Sequence, residues 1–94
     1  MYDLGLKLKK LREEKNLTQK QVADRMSLDT STISSYESGT IVPSVEVLLG
    51  LARLYNVSTD YLLGVDNRPM VYLDGFTPKQ MNLIREFLDE FRGR

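Results

Sequence analysis

The chain contains no cysteine, no histidine and no tryptophan among its 94 residues. Without cysteine there is no disulfide framework and no thiolate nucleophile, so a reducing, cytoplasmic location is expected. Without cysteine and histidine, only carboxylates are left as strong metal ligands, which argues against a zinc site. No group of carboxylates is spaced for hydrolytic chemistry either. We therefore predict a protein that is not an enzyme and needs no cofactor or metal.

Long apolar runs are also missing. No segment approaches the roughly 20 apolar residues that a membrane span requires, and the N-terminus has no apolar signal-peptide core. Hydrophobic residues make up 41% of the chain, a content typical of folded globular proteins. The length suits one small domain with an appendage. We therefore expect a folded protein without a membrane-spanning segment.

Neither sign of charge dominates, because 13 basic residues balance 13 acidic ones. The distribution is nevertheless uneven. Residues 7–25 hold seven basic and three acidic residues, whereas residues 26–64 hold one basic and four acidic residues. The basic segment could face a polyanion or could form a solvated helix of mixed charge.

Helix-start signals recur along the sequence. An N-cap side-chain oxygen accepts a hydrogen bond from an otherwise unpaired backbone N–H, and the apolar residue before it often packs on the fourth helical residue. Thr18 fits this pattern, with Leu17 before it and Gln21 completing a capping box. The same kind of start is predicted at Asp29, Ser44, Ser58 and Thr77.

Helix-stop signals fall between these starts. Gly and Asn tolerate the left-handed conformation that commonly ends a helix, and they occur at Asn16, Gly39, Asn56 and Gly64. The predicted helices are residues 3–15, 18–26, 29–37, 44–55, 58–63 and 78–92. Strand signals are almost absent from the sequence. The exception is an apolar run at residues 70–73, which could pair as a strand across a dimer or lie extended.

Apolar residues follow the helical period within the predicted helices. These stripes are Leu4, Leu8 and Leu11, then Val22, Ala23 and Met26, then Ile33 and Tyr36, then Leu48, Ala52 and Tyr55. Helices this short are stable only when they bury such stripes against each other, so we expect one compact all-α domain over residues 1–64. Two or three residues around Ser27 join the second and third helices. So short a connection sets the helices at a steep angle and predicts a helix-turn-helix.

A series of short motifs runs from residue 11 to residue 64. They are Leu11-Arg12, Thr18-Gln19, Val22-Ala23, Ser31-Thr32-Ile33-Ser34, Tyr36-Glu37 before Gly39, Pro43-Ser44 and Tyr61-Leu62-Leu63-Gly64. Together they resemble the phage-repressor-like (XRE) helix-turn-helix family. The resemblance implies a five-helix, lambda-repressor-like fold that binds double-stranded DNA, with the second helix of the motif in the major groove.

The resemblance also implies roles for residues outside the recognition helix. Gln19, at the start of the second helix, would contact a phosphate, assisted by the helix N-terminus. Further phosphate contacts are implied at Ser38, Thr40 and Ser44. Arg12 and Glu37 match a partly buried ion pair that ties the first helix to the end of the third.

Within the recognition helix, the resemblance implies base contacts from Thr30, Ser31 and Ser35. Hydroxyls can donate to or accept from any base, and a threonine methyl can contact a thymine methyl. Two features depart from the family pattern. The helix has no basic residue, so bidentate contact between arginine and guanine is not available there. Ser27 occupies a turn position where the family usually has glycine, so it must adopt positive φ or tilt the turn.

The C-terminal part is predicted to be a linker over residues 65–77 and a C-terminal segment over residues 78–94 that holds the last predicted helix, because turn signals precede an amphipathic pattern. The apolar face of this helix carries Met81, Ile84, Phe87, Leu88 and Phe91. It could pack on its own domain, on a symmetry mate or on a different protein. We favour the mate, which gives a homodimer that reads two half-sites about 34 Å apart.

Two classes of function are left. In the first, the protein is a transcriptional regulator, a repressor that binds a palindromic operator as a homodimer and blocks polymerase. In the second, it is an antitoxin or another interaction protein that binds a partner protein through its C-terminal helix. Fold analogy does not separate the two, but a small toxin-like reading frame beside the gene would favour the second.

Overall fold

The computed structural model describes residues 3–66, 68 and 73–92. Over these residues the chain forms six α-helices and no strand. The helices are α1 (Leu4–Glu14), α2 (Gln19–Met26), α3 (Thr30–Ser38), α4 (Val45–Tyr55), α5 (Thr59–Leu62) and α6 (Pro78–Arg92). Each begins and ends within one residue of its predicted bounds, which confirms the all-α prediction. The possible strand at residues 70–73 falls mainly on residues 70–72, which lie outside the described residues.

Side-chain caps begin most of these helices, as predicted. The Thr18 hydroxyl accepts from the Gln21 backbone N–H, and the Gln21 side chain accepts from the Thr18 backbone N–H. A reciprocal pair of the same kind joins Thr77 and Gln80 before α6, and single caps are made by Ser44 and Ser58. Asp29 precedes α3 in an extended conformation, but its carboxylate makes no cap hydrogen bond. The cap predicted there is therefore wrong in its side-chain contact.

The turn between α2 and α3 is closed by Ser27, which has a φ of 57°. The Ser27 backbone N–H donates to the Asp24 carbonyl, and the Leu28 N–H donates to the Ala23 carbonyl at 2.9 Å. This pair of bonds is the Schellman arrangement, which requires a left-handed residue between helix and turn. Ser27 thus adopts positive φ in the position where glycine would be unstrained.

One core joins α1 to α5. Helix α3 packs on both α1 and α2, while α5 packs on α1 and α4. The buried hydrophobic residues are Leu8, Val22, Ala23, Ile33, Tyr36, Leu48, Leu51, Ala52, Tyr55 and Leu62. Burial of these residues from five short helices supplies the stability that none of the helices has alone.

The backbones of α1 and α3 meet at Gly5, which is buried. A Cβ atom at Gly5 would lie 2.5 Å from the Glu37 carbonyl oxygen and 2.6 Å from that of Tyr36. Both neighbours are backbone atoms, so they cannot move away as a side chain would. Glycine therefore allows α1 to pack directly on the C-terminal end of α3.

Helix α6 differs from the other helices because none of its residues is buried. Leu83, Phe87, Leu88 and Phe91 are exposed, the last by 77%. Before α6, Asp74 forms an ion pair with Arg53 of α4, both side chains being exposed. No helix in the described part of the chain is both long and apolar enough to cross a membrane.

Candidate nucleic-acid interface

Helix α3 has one buried face and one face of small hydroxyl side chains. Ile33 and Tyr36 are buried in the core. On the rest of the helix Thr30, Ser31 and Ser34 are exposed, while Thr32 and Ser35 are half-buried. The three residues predicted to contact bases therefore lie on the side of α3 that the described residues leave uncovered or partly covered.

An ion pair fixes the end of α3 against α1. Arg12 Nε donates to Glu37 Oε2 at 2.7 Å, and Arg12 Nη2 donates to Glu37 Oε1 at 3.0 Å. The side chains are only 12% and 4% exposed, respectively. The hydrogen bond to Glu37 raises the pKa of Arg12 above its usual value. The predicted ion pair is thus present, in the bidentate geometry that guanidinium and carboxylate favour.

The same guanidinium also holds the turn before α2. Arg12 Nη1 donates to the Leu17 carbonyl at 2.8 Å, one residue before the Thr18 cap. One side chain therefore connects α1, the start of α2 and the end of α3, which fixes the two helices of the motif relative to each other.

Gln19 also contacts Glu37. Its Nε2 donates to Glu37 Oε1 at 3.0 Å, and the side chain is half-buried. The sequence predicted a phosphate contact for Gln19 and did not predict this hydrogen bond. The amide is positioned at the first residue of α2, where unpaired backbone N–H groups and the positive helix end attract anions. The phosphate contact stays a prediction.

Tyr55 of α4 lies close enough to the ion pair to be affected by its charges. Burial and, to a smaller extent, the negative charge of Glu37 together raise the pKa of its phenol to about 12, against the opposing effect of Arg12. The ring is 4% exposed. The phenol is therefore neutral at ordinary pH, and its ring belongs to the buried core.

The loop after α3 carries the hydroxyl groups predicted to contact phosphates. Ser38 and Thr40 hydrogen-bond to each other through their hydroxyls at 2.8 Å, and Ser38 also donates to the Ser35 carbonyl at 3.2 Å. Ser44 accepts from the Val47 backbone N–H as the cap of α4. All three side chains are exposed. The structure thus brings Ser38 and Thr40 together and gives each hydroxyl an internal contact, while the phosphate contacts stay predictions.

Apolar residues that the sequence analysis did not single out follow these hydroxyls. Ile41 and Val42 are exposed. With Tyr36 and Leu63 they line an open cleft of about 530 Å³ at the junction of α1, α3 and α5. Two consecutive apolar residues in a polar loop are the sequence signal that could have revealed this surface.

The chain is similar to known regulators over the helices that form this surface. A family model described as Helix-turn-helix matches residues 8–62, more than half of the chain. The HTH-type transcriptional regulator ImmR of Bacillus subtilis (strain 168) is 44% identical over 63 residues, which are 67% of this chain and 50% of ImmR. The uncharacterized HTH-type transcriptional regulator YobD of the same organism is 31% identical over 100 residues, with 87% of this chain and 89% of YobD covered.

A phage protein and a solved structure extend this similarity. The cryptic phage CTXphi transcriptional repressor RstR of Vibrio cholerae is 37% identical over 51 residues, which are 54% of this chain and 46% of RstR. The chain thus spans about half the length of ImmR and of RstR. A chain of the SinR protein/SinI protein complex matches with a TM-score of 0.59 at 20% identity, covering 97% of this chain and 99% of that one, and supports the fold. The chain belongs to the XRE-type helix-turn-helix family of transcriptional regulators.

Proposed function

We propose that this chain is a sequence-specific DNA-binding transcriptional regulator, a repressor that binds a palindromic operator as a homodimer in the cytoplasm. The observation that carries the proposal is the division of α3 into a buried face, formed by Ile33 and Tyr36, and a face of uncovered hydroxyls. A rigid helix presenting short polar side chains fits the major groove, which is about 12 Å wide.

The proposed base contacts come from Thr30, Ser31 and Ser35. Serine and threonine hydroxyls can contact any base edge, so each discriminates less than a bidentate arginine or glutamine would. With no basic residue on α3, sequence preference would rest on several such contacts and on the shape of the DNA. We therefore expect a modest ratio of specific to non-specific affinity.

The proposed phosphate contacts surround this helix. They are Gln19 at the start of α2, Ser38 and Thr40 in the loop, and Ser44 at the start of α4. Contacts of this kind fix the register and orientation of the protein on the duplex and carry no sequence information of their own. The start of α2 and the loop after α3 would thus clamp the backbone on the two sides of the recognition helix.

Repression is proposed because it requires no contact other than those with DNA. A regulator that occupies a promoter blocks polymerase by exclusion alone, whereas an activator must also bind the transcription machinery. Among the similar proteins, RstR is named a transcriptional repressor and BcrR of Enterococcus faecalis a transcriptional activator. The names alone therefore do not decide the direction of regulation.

The proposed homodimer would form through Met81, Ile84, Phe87, Leu88 and Phe91. None of these residues is buried within the described part of the chain, and a wide exposed apolar face on a soluble helix marks an interaction surface. A second copy would cover both faces at once through one two-fold contact. The structural relative is a complex of two different proteins, so a heterologous partner for α6 is the outcome that would replace the homodimer.

Selection of bound fragments from a random DNA pool tests the proposal directly. We expect enrichment of two inverted half-sites, about 10 base pairs apart from centre to centre. As a matched control, a variant with Thr30→Ala and Ser35→Ala should lose the enrichment and keep weak non-specific binding. Failure of the unmodified protein to enrich any sequence would overturn the DNA-binding assignment.

A further inference from the structure

Two hydroxyl groups at the end of α3 form a hydrogen-bonded chain with a fixed direction. Ser38 Oγ lies 2.8 Å from Thr40 Oγ1, and it also donates to the Ser35 carbonyl at 3.2 Å. A hydroxyl has a single hydrogen to donate, and a carbonyl can only accept. Because the hydrogen of Ser38 goes to the carbonyl, Thr40 must supply the hydrogen of the bond between the two hydroxyls. The chain therefore runs from Thr40 to Ser38 and ends at the Ser35 carbonyl.

The backbone donors of the same loop are already paired. The Gly39 N–H donates to the Tyr36 carbonyl at 3.3 Å. The N–H groups of Thr40 and Ile41 both donate to the Ser35 carbonyl, at 3.0 Å and 3.3 Å, respectively. A phosphate oxygen carries no hydrogen and needs a donor. A phosphate next to this loop would therefore take its hydrogen bond from a side-chain hydroxyl.

Ser38 can redirect its hydrogen at small cost. If its hydroxyl turns away from the Ser35 carbonyl, that carbonyl keeps its two backbone N–H donors and is not left unpaired. The bond that breaks is the longer of the two that Ser38 makes. The bond that replaces it has an anionic acceptor and is therefore stronger than a bond to a neutral carbonyl. Rotation of this one hydroxyl thus directs the chain outward and preserves the bond from Thr40.

A direct bond from Thr40 to a phosphate would require a larger rearrangement. Thr40 would have to withdraw its only hydrogen from Ser38, which breaks the shorter bond of the chain. Reversal of the whole chain would move two hydrogens in place of one. In the observed direction, the bond that Ser38 accepts polarises its O–H group and strengthens the bond that it donates. Ser38 is therefore the better phosphate donor of the two.

We propose that Ser38 donates to a DNA phosphate, and that Thr40 is a positioning residue that acts through the Ser38 hydroxyl without touching DNA. This inference rests on the proposed DNA binding. It gives different roles to two residues that the family resemblance treats alike. Both side chains are exposed, so a phosphate can reach Ser38 while Thr40 supports it. The loop after α3 then supplies one phosphate hydrogen bond in place of two.

Binding of the full chain to a mixed-sequence DNA duplex tests these roles, because phosphate contacts carry no sequence information. Ser38→Ala should weaken binding roughly threefold to tenfold, the effect of one hydrogen bond less the internal bond that it replaces. Thr40→Val removes the hydroxyl and keeps the branched shape, and it should weaken binding roughly twofold to threefold through lost polarisation of Ser38. Combined with Ser38→Ala, Thr40→Val should cause no further loss. Thr40→Ser keeps the hydroxyl and is the matched control, with the affinity of the unmodified chain.

The double variant separates this arrangement from the alternatives. Losses that add would give each hydroxyl its own phosphate and would contradict the proposal. A larger loss in Thr40→Val than in Ser38→Ala would reverse the chain and contradict it as well. Unchanged affinity in both variants, with weaker binding in Gln19→Ala, would overturn the inference and leave DNA binding standing. Failure of the unmodified chain to bind the duplex at low salt would overturn the proposed function itself. Urea unfolding midpoints of all variants should match that of the unmodified chain, because the altered side chains are exposed.

Discussion

Removal of the Glu37 carboxylate should destabilise the fold far more than loss of an exposed charge. Glu37 is 4% exposed and accepts hydrogen bonds from Arg12 Nε, Arg12 Nη2 and Gln19 Nε2. In Glu37→Ala the Arg12 guanidinium, 12% exposed, keeps the Leu17 carbonyl as its acceptor among the described residues. Loss of one partner of a buried pair costs about 3–5 kcal/mol. Because Arg12 keeps slight contact with water, we expect a loss of about 3 kcal/mol.

Urea unfolding followed by circular dichroism measures this change, provided that the denaturant slope stays constant. The exposed residue Glu14 supplies the control, since Glu14→Ala should change the free energy of unfolding by less than about 0.5 kcal/mol. Replacing Arg12 and Glu37 together by Met should recover most of the loss, because no unpaired charge is then buried. The reasoning is refuted if Glu37→Ala resembles the control, or if the double variant loses as much stability as Glu37→Ala.

Three other perturbations test separate parts of the structure. Gly5→Ala should lower the free energy of unfolding by about 2 kcal/mol, because the added Cβ meets backbone atoms. Gly50→Ala, whose Cβ meets a flexible methionine side chain, should change it by less than about 1 kcal/mol, as urea unfolding of both variants would show. The Tyr55 pKa near 12 exceeds the ordinary value near 10, so the unfolded state releases its proton first. The free energy of unfolding should therefore fall by about 2–3 kcal/mol as the pH rises from 10 to 12. Tyr55→Phe should remove this contribution to the fall. Thr30→Ala should alter sequence preference, whereas Gln19→Ala should weaken all sequences alike, as competition binding with operator and random DNA would measure.

Each of these expectations has an outcome that contradicts it. Equal stability of the two glycine variants would mean that α1 shifts away from α3 without cost. An unchanged alkaline unfolding profile in Tyr55→Phe would mean that other groups control stability above pH 10. A uniform loss of affinity in Thr30→Ala, with altered preference in Gln19→Ala, would mean that α3 is not the reading helix.

The helices could be predicted from the sequence because each helix boundary depends on residues that are close to each other in the chain. The capping box of Thr18 and Gln21 involves residues only three positions apart, and the left-handed stops at Asn16 and Asn56 need no information from elsewhere in the chain. Asp29 shows the limit of such local signals. Its backbone occupies the cap position, yet its carboxylate makes no cap hydrogen bond. Whether that bond forms depends on the side-chain rotamer and on competition from water, which the residue type alone does not specify.

The tertiary contacts of the site could be predicted only in part. The Arg12–Glu37 pair followed from the family resemblance, whereas the role of Gly5 did not, because nothing near Gly5 in the sequence indicates that the end of α3 will lie against it. A glycine inside a helix normally weakens that helix. Its occurrence at Gly5 of α1 was therefore a usable signal for a close backbone approach, and it was missed.

The hydrogen bond between Gln19 and Glu37 bears on how the surface would engage DNA. If Gln19 turns to a phosphate, it exchanges one charge-assisted hydrogen bond for another, because both acceptors are anionic. The net gain in binding free energy from this exchange is therefore smaller than the bond itself, while Glu37 keeps both bonds from Arg12. Such a contact adds more to positional precision than to affinity. If the proposed homodimer forms, affinity would then depend on the number of contacts made by two linked copies.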